Sequence, residues 1–539
     1  MIVLHKKMII MNQTQNIKNS YFSLLLTVGL FTSCADLDQD PLSSVSVDTF
    51  YSNESELTVA VNGIYEFFTE DGFYGMFNNQ SVYFNDLQTD YVKSGANTNS
   101  AHIREISNFN VSTSNIFVID SWNEHYKGIN LANQLIDKVT LNSSLSSALR
   151  DRFEGEAKFL RAVYYFNLVR YFGEVPIVLH SNEAEGRARN TLDEVYAQIV
   201  SDLKDAEAKI PESQTGFDGR ATSGAATALL SKVYLVWAQT SLTLTESQQK
   251  EYLQLANTYA TKTISSGKYE LIDKFIDNWS IDKKNGKEHI FSIQHDRTVN
   301  PNVSGHCTFA MLWSDSEPVL ITTSAKYWEE QEAQDQRRDG SWAKRLYNPN
   351  TSEDFIYKTP LFRKYIDSLN YAAYGNSAGQ STNTTYLRYA EILLIKAEVE
   401  NELNGPTEEA YSALNAIRKR AYWSPYKQSY QTPSDGRPIS LSGLTQEEFR
   451  QEVRDQYFKE FILEGHRWLD LVRWHILVKY VKEQYIAHGG KETDLKYQNI
   501  SKKNYRLPLP NDQIVLNPKL TQNWGYSGET SGDPYIGWE

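Results

Sequence analysis

From Glu54 onward apolar residues recur every three to four positions through long stretches, and that period makes helices the main regular structure open to this chain. Residues 115–139 carry Trp122, Tyr126, Ile129, Ala132, Leu135 and Ile136 on one face. Residues 146–172 continue with Phe153, Ala157, Leu160, Tyr164, Leu168 and Tyr171, then stop at Gly173 ahead of Val175-Pro176. Further helices are expected over 192–210, closed by Pro211, over 222–241 and over 248–266. Two more span 386–403 and 407–421, parted by Asn404-Gly405-Pro406, and a long one covers 445–483. Successive pairs mixing small and large residues predict tetratricopeptide-like units, spaced too irregularly for a strict ~34-residue period. An unrelated helical bundle is the alternative.

The texture changes over 271–385, where apolar runs are short, as in His289–Gln294, and turn-formers crowd Asn300–Gly305 and Gly375–Asn383. The expected fold is therefore mainly α: a helical-repeat scaffold over 51–270, then a 271–539 region holding a loop-rich, variable, ligand-binding portion. Loops on a rigid frame are where recognition concentrates. At 539 residues the chain exceeds one ordinary core, so one large or two closely packed domains are expected. Its aromatic share of 13% supplies both core filling and stacking surfaces.

Residues 1–33 read as a signal peptide. Lys6, Lys7 and Lys18 make a basic start with no acid before Asp36, and Tyr21–Phe31 is too short for a ~20-residue membrane span. Thr32-Ser33-Cys34 follows, resembling a lipobox whose thiol is acylated. Ordinary cleavage beside an incidental Cys is the alternative. The chain has only Cys34 and Cys307, so lipidation of Cys34 also explains the lack of a disulfide framework. Residues 34–50, with Asp36, Asp38, Asp40 and Pro41, form a tether. They do not make a calcium loop, since Val47 stands where Glu is needed. Losing three lysines and no acid moves the net charge from −13 to −16, which argues against nucleic acid as ligand.

No catalytic or cofactor signature emerges: there is no zinc helix, phosphate loop or nucleophile elbow, and no metal or cofactor is expected. His466 and His475, nine apart, fall on different helix faces. Glu460 and Glu464 share a face and raise the alternative of a surface glycoside hydrolase. Arg467, Asp470 and Arg473 continue that face at three-residue steps, which favours ion pairing along the helix. Cys307 has no base in sight and reads as a packed thiol.

Several motifs, in order along the chain, resemble one family. They are Cys34-Ala-Asp-Leu-Asp38, Phe159–Phe166 with Tyr171–Ile177, Tyr386–Glu398, Lys459–Trp474 (KEFILEGHRWLDLVRW), Tyr505–Pro510, Asn517-Pro518 and Gln522–Tyr526. Together they resemble the SusD/RagB family of starch-utilisation-type outer-membrane lipoproteins. The resemblance implies a non-enzymatic nutrient-binding lipoprotein, anchored through Cys34 on the outer face of the outer membrane, with Asp36, Asp38 and Asp40 as its surface-export signal. It also implies a SusC-like TonB-dependent transporter as partner, capped by this chain as a lid, with an oligo- or polysaccharide as ligand.

In that family an aromatic-rich early loop and loops of the second half form the site. The matching early stretch, Asn85–Asn97, holds Tyr91 but no Trp, which puts starch in doubt and opens a peptide or another nutrient as the alternative. The candidate ligand residues are Asp90, Tyr91 and Asn97 early, and Phe309, Trp313, Tyr327, Trp328, Arg338 and Trp342 later. A ring at any of these positions can instead serve local packing.

Overall fold

A computed structural model describes residues 50–68, 81–95, 98–183, 186–214, 216, 218–296, 320–348, 353–365, 381–529 and 531–539. The leader, Cys34, most of the tether, Asn97, Cys307, Phe309 and Trp313 lie outside the described residues. Asn53–Glu539 is the compact unit to which all the elements below belong.

Helix α1 (Glu54–Glu66) is followed by two short helices, α2 (Ser81–Asn85) and α3 (Ala101–Ser107), with strand β1 (Val92–Ser94) between them. The scaffold then runs α4 (Ile116–Leu141), α5 (Ser147–Phe172), α6 (Leu192–Lys209), α7 (Ser223–Thr240) and α8 (Glu246–Ser265). Side-chain oxygens of Asn115, Ser146, Thr191, Thr222 and Thr245 accept first-turn N–H groups and so fix where each helix starts. Thr191 with Glu194 and Thr245 with Gln248 complete capping boxes. Gly173, at φ +75°, ends α5 where a side chain would be strained.

Each of these helices packs on the next in chain order, and α1 lies against α4 and α5. Close approach needs small residues. Gly128 of α4 faces the Tyr164 ring of α5 so closely that a Cβ would press into it. Between α7 and α8 the contact is a stack of rings: Tyr234 on Tyr259 at 5.8 Å and Trp237 on Tyr252 at 4.2 Å.

Strand β2 (His289–Ile293) pairs antiparallel with a distant strand at Thr384–Arg388, closing the loop-rich insertion at its base. Within the insertion lie β3 (Leu320–Thr322), α9 (Lys326–Glu329), α10 (Gln336–Ser341), β4 (Trp342–Asn348) and β5 (Glu353–Phe362). Strand β3 pairs antiparallel with β1, and β4 with β5. The Thr384–Arg388 strand, β6, runs directly into α11 (Tyr389–Asn404), so the helix expected from residue 386 begins three residues later. Helix α11 lies on α8 and extends the row of helices to α12 (Glu408–Tyr422). A small hairpin of β7 (Trp423–Ser424) and β8 (Ser429–Tyr430) follows.

The single helix expected over 445–483 is corrected to three: α13 (Gln446–Phe461), α14 (Arg467–Arg473) and α15 (Leu477–Ala487). Leu463 at φ +58°, Gly465 at φ +73° and His475 at φ +60° break the run. The first break is held by a distant partner, because Leu463 N donates to the Tyr91 hydroxyl at 2.9 Å. Short helices α16 (Leu495–Asn499) and α17 (Asn511–Leu516) complete the chain. Its end returns to the start: Leu507 N donates to Tyr171 O at 2.8 Å, and the Lys496 ammonium reaches the carbonyls of Leu87, Val92 and Ser107 at 2.7, 3.0 and 3.0 Å.

Candidate ligand-binding site

Four acids and four bases meet where the insertion joins the helices. Arg388, at the foot of α11, donates to Glu460 (2.6 Å), Glu288 (2.8 Å) and Glu464 (2.9 Å). Arg420 joins Glu288 and Glu460, while Arg337 bridges Asp335 (2.7 Å) and Glu460 (3.2 Å). Lys364 donates to Glu464 and to the Glu460 carbonyl, both at 2.7 Å. The side chains are all essentially buried, which is tolerable only because the charges cancel and hydrogen bonds use most of their remaining groups.

Burial pushes the Glu460 carboxyl up, but Arg420, Arg388 and Arg337 overcome it and hold it well below the usual carboxylate range. Burial lowers Lys364 to about 8 despite Glu464. A carboxyl so held is poorly suited to donate a proton near neutrality, and it has no access to a substrate. Ion pairing along one helix is corrected too: Asp470 and Arg473 do pair at 2.8 Å, whereas Glu460 and Glu464 find their bases on other elements and Arg467 pairs with Asp90 at 3.3 Å.

Beside this joint the structure gathers four candidates far apart in sequence. Tyr91 is fully buried, ringed edge-on by Tyr327 (6.3 Å), Trp342 (6.2 Å), Phe362 (6.0 Å) and Phe458 (5.4 Å). Its hydroxyl donates to Asp86 at 2.5 Å, and Gly465 N donates to the other Asp86 oxygen at 3.1 Å. Burial raises the Asp86 carboxyl to about 7. Asp90 accepts from the Tyr327 hydroxyl at 3.0 Å, and the Tyr327 ring lies flat on His488 at 3.7 Å. Asp90, Tyr91, Tyr327 and Trp342 are each at most 5% exposed, so in this arrangement they underpin a surface and have no free face for a ligand.

Trp328, the next residue after Tyr327, is partly exposed. The Arg338 guanidinium lies 4.7 Å and the Lys344 ammonium 5.1 Å from its ring. Arg338 is oriented by Asp339 at 2.9 Å. An accessible indole bordered by charged donors on a rigid base suits a flat, hydroxyl-rich ligand better than a deep apolar one. Among the described residues no group of His, Cys, Asp and Glu could hold a metal ion, and no helix is long and apolar enough to cross a membrane.

Sequence reasoning passed over three rings: Trp423, Tyr426, which is 83% exposed, and Tyr430, which is 55% exposed. The signal was present in Trp423-Ser-Pro-Tyr426, aromatics flanking a proline straight after a helix end, where rings have little core to enter.

Comparison with known proteins accords with this architecture. Residues 317–526 match the model of the SusD family, and residues 37–235 match a model described as starch-binding and associating with the outer membrane. SusD-like protein P2 of Formosa agariphila is 26% identical over 94% of this chain and 98% of its own length. Starch-binding protein SusD of Bacteroides thetaiotaomicron is 24% identical over 71% of this chain and 74% of its own. The crystal structure of a SusD homolog from Bacteroides thetaiotaomicron superposes with a TM-score of 0.77 at 24% identity, covering 90% of this chain and 99% of that one. With both family models matched in order and the helical scaffold shared, the chain belongs to the SusD family.

Proposed function

We propose that the protein is a cell-surface lipoprotein, acylated at Cys34, that binds a glycan and passes it to a TonB-dependent transporter of the outer membrane as its lid. The observation that carries the binding step is Trp328, partly exposed beside Arg338 and Lys344 and next to the buried Tyr327. Ring faces match the C–H faces of sugars, and one such ring with a few donors gives the modest affinity that a protein passing its ligand onward requires. A starch-binding relative supports a saccharide as the ligand class. A binding role without turnover is supported by Glu460 and Glu464 being committed to buried bases.

Affinity gels cast with separate polysaccharides test the binding step: wild type is retarded by at least one, and Trp328→Ala loses most of that retardation. Equal retardation of both proteins removes Trp328 from the site. For the lid, purification from native membranes recovers a β-barrel transporter with the protein, and repeated recovery alone counts against it. Fatty-acid labelling of Cys34 tests the anchor. A peptide or other nutrient is the second reading, favoured by the lack of Trp within the Asn85–Asn97 stretch, and calorimetry with oligosaccharides against peptides separates the two.

A further inference from the structure

A cleft of about 490 Å³ opens between α10, residues 274–276 and the β7–β8 hairpin. Its volume falls in the ~300–1,000 Å³ range of small-molecule sites. Helix α10 connects the cleft to the Trp328 surface directly, since Arg338 borders Trp328 while its partner Asp339 lines the cleft. Gln336 fixes the floor, donating to the carbonyls of Asp273, Arg420 and Trp423 at 2.9, 2.6 and 3.1 Å.

Two properties of the wall point to a ligand. The first is aromatic. Tyr426, on the wall, projects into solvent at the hairpin tip, 83% exposed; Tyr430, on the same hairpin but outside the cleft lining, is 55% exposed and packed near Trp423 at 5.1 Å. Large rings left this open by a short, fixed hairpin forgo burial that would have stabilised them. The second is charge. Lys274, Arg363 and Lys427 line the cleft against one acid, Asp339, which Arg338 already engages. Arg363 donates to the Asp339 carbonyl at 2.9 Å and Lys427 to the Gln431 side chain at 3.0 Å, and among the described residues neither forms an ion pair. Lys274 is shared between Asp277, at 3.3 Å, and the Tyr426 ring, at 5.7 Å. A local excess of positive charge on a chain of net charge −13 runs against the average of the molecule. Among the described residues the Gln334 side-chain oxygen and the Trp423 indole N–H on this wall also have no hydrogen-bond partner.

We infer that this cleft is a second saccharide subsite, selective for an acidic sugar bearing a carboxylate or a sulfate. A pyranose ring lies against Tyr426 or Tyr430, and its anionic group meets Arg363 and Lys427. The inference rests on the reading of the protein as a glycan binder and extends it: a long acidic polymer spans the Trp328 surface and the cleft together, so that each contact raises the effective concentration of the other.

The test uses the full-length lipoprotein in native affinity gels containing polygalacturonate, dextran sulfate or soluble starch. Polygalacturonate or dextran sulfate retards wild type, and which of them does so distinguishes carboxylate from sulfate. Tyr426→Ala/Tyr430→Ala, two exposed changes that spare the core, weakens that retardation about five- to tenfold. Arg363→Gln/Lys427→Gln weakens it similarly and flattens its dependence on salt. Starch retardation, if present, is unchanged in both variants and lost in Trp328→Ala. Polyanion retardation that ignores the hairpin substitutions overturns the subsite while leaving the Trp328 reading intact. Absence of polyanion retardation alongside starch binding does the same, and failure of all three polymers to retard wild type overturns both.

Discussion

The α4–α8 scaffold and the joint beneath the insertion are equally dry, yet they are held by opposite means. In the scaffold, glycine and alanine let helices close while tyrosine and tryptophan fill the gaps, as with Gly128 against Tyr164. In the joint, four carboxylates and four cations interlock around Arg388 and Glu460. Apolar packing tolerates swaps of similar volume, whereas a buried ion whose partner is removed has nothing to compensate it. The difference teaches that the scaffold fixes shape, while the joint fixes how the insertion, with its Trp328 surface, is set upon that shape.

The sharpest way to break the contrast is at its centre. Glu460→Ala leaves Arg337, Arg388 and Arg420 facing one another, and urea unfolding is expected to show a loss of about 3–5 kcal/mol. A second variant, Glu460→Gln, separates the regions by pH. The folded Glu460 carboxyl titrates below its ordinary 4.5, so its contribution is complete above that value and lost as the solution is acidified below it. Stability of wild type should therefore fall more steeply with acid than that of Glu460→Gln. If the two slopes agree, the joint contributes nothing through charge.

Smaller effects sharpen the scaffold side. Gly128→Ala forces a methyl into the Tyr164 ring and is expected to cost about 1–3 kcal/mol, a loss that added salt should leave unchanged. Tyr91→Phe keeps the ring but strands one Asp86 oxygen and Leu463 N, for a cost of about 1–3 kcal/mol in the same assay. At the bottom of the scale, Trp328→Ala should move stability by no more than about 0.5 kcal/mol while affecting ligand binding. A large loss of stability there would mean the indole serves packing.

Much of the scaffold was legible because a 3.6-residue period is a local property: Ile116–Leu141 and Ser147–Phe172 fall within two residues of the expected 115–139 and 146–172. The interruption at Leu463 and His475 was not, since neither is glycine and at Leu463 the stabilising partner, Tyr91, lies 372 positions away. Likewise Glu460 and Glu464 look like members of one charged stripe until Arg388 and Lys364 arrive from other elements. The candidate site was partly legible. Asp90, Tyr91, Tyr327 and Trp342 do come together, but sequence carries no measure of how deep a ring sits, and it passed over Tyr426, whose exposure depends on a hairpin only two residues wide on each strand.

Lys496 carries a consequence for how the molecule comes into being. Its three acceptors belong to residues 87–107, so the early segment that supports Asp90 and Tyr91 is pinned by a side chain about four hundred positions downstream. Contacts of such separation close late, because the loop they span must be gathered first. A growing polypeptide can stack its helices as they emerge, but it completes the ground under Trp328 only when nearly all of it has been made. A premature stop a few dozen residues short should thus yield a well-formed helical body with an unfinished binding face.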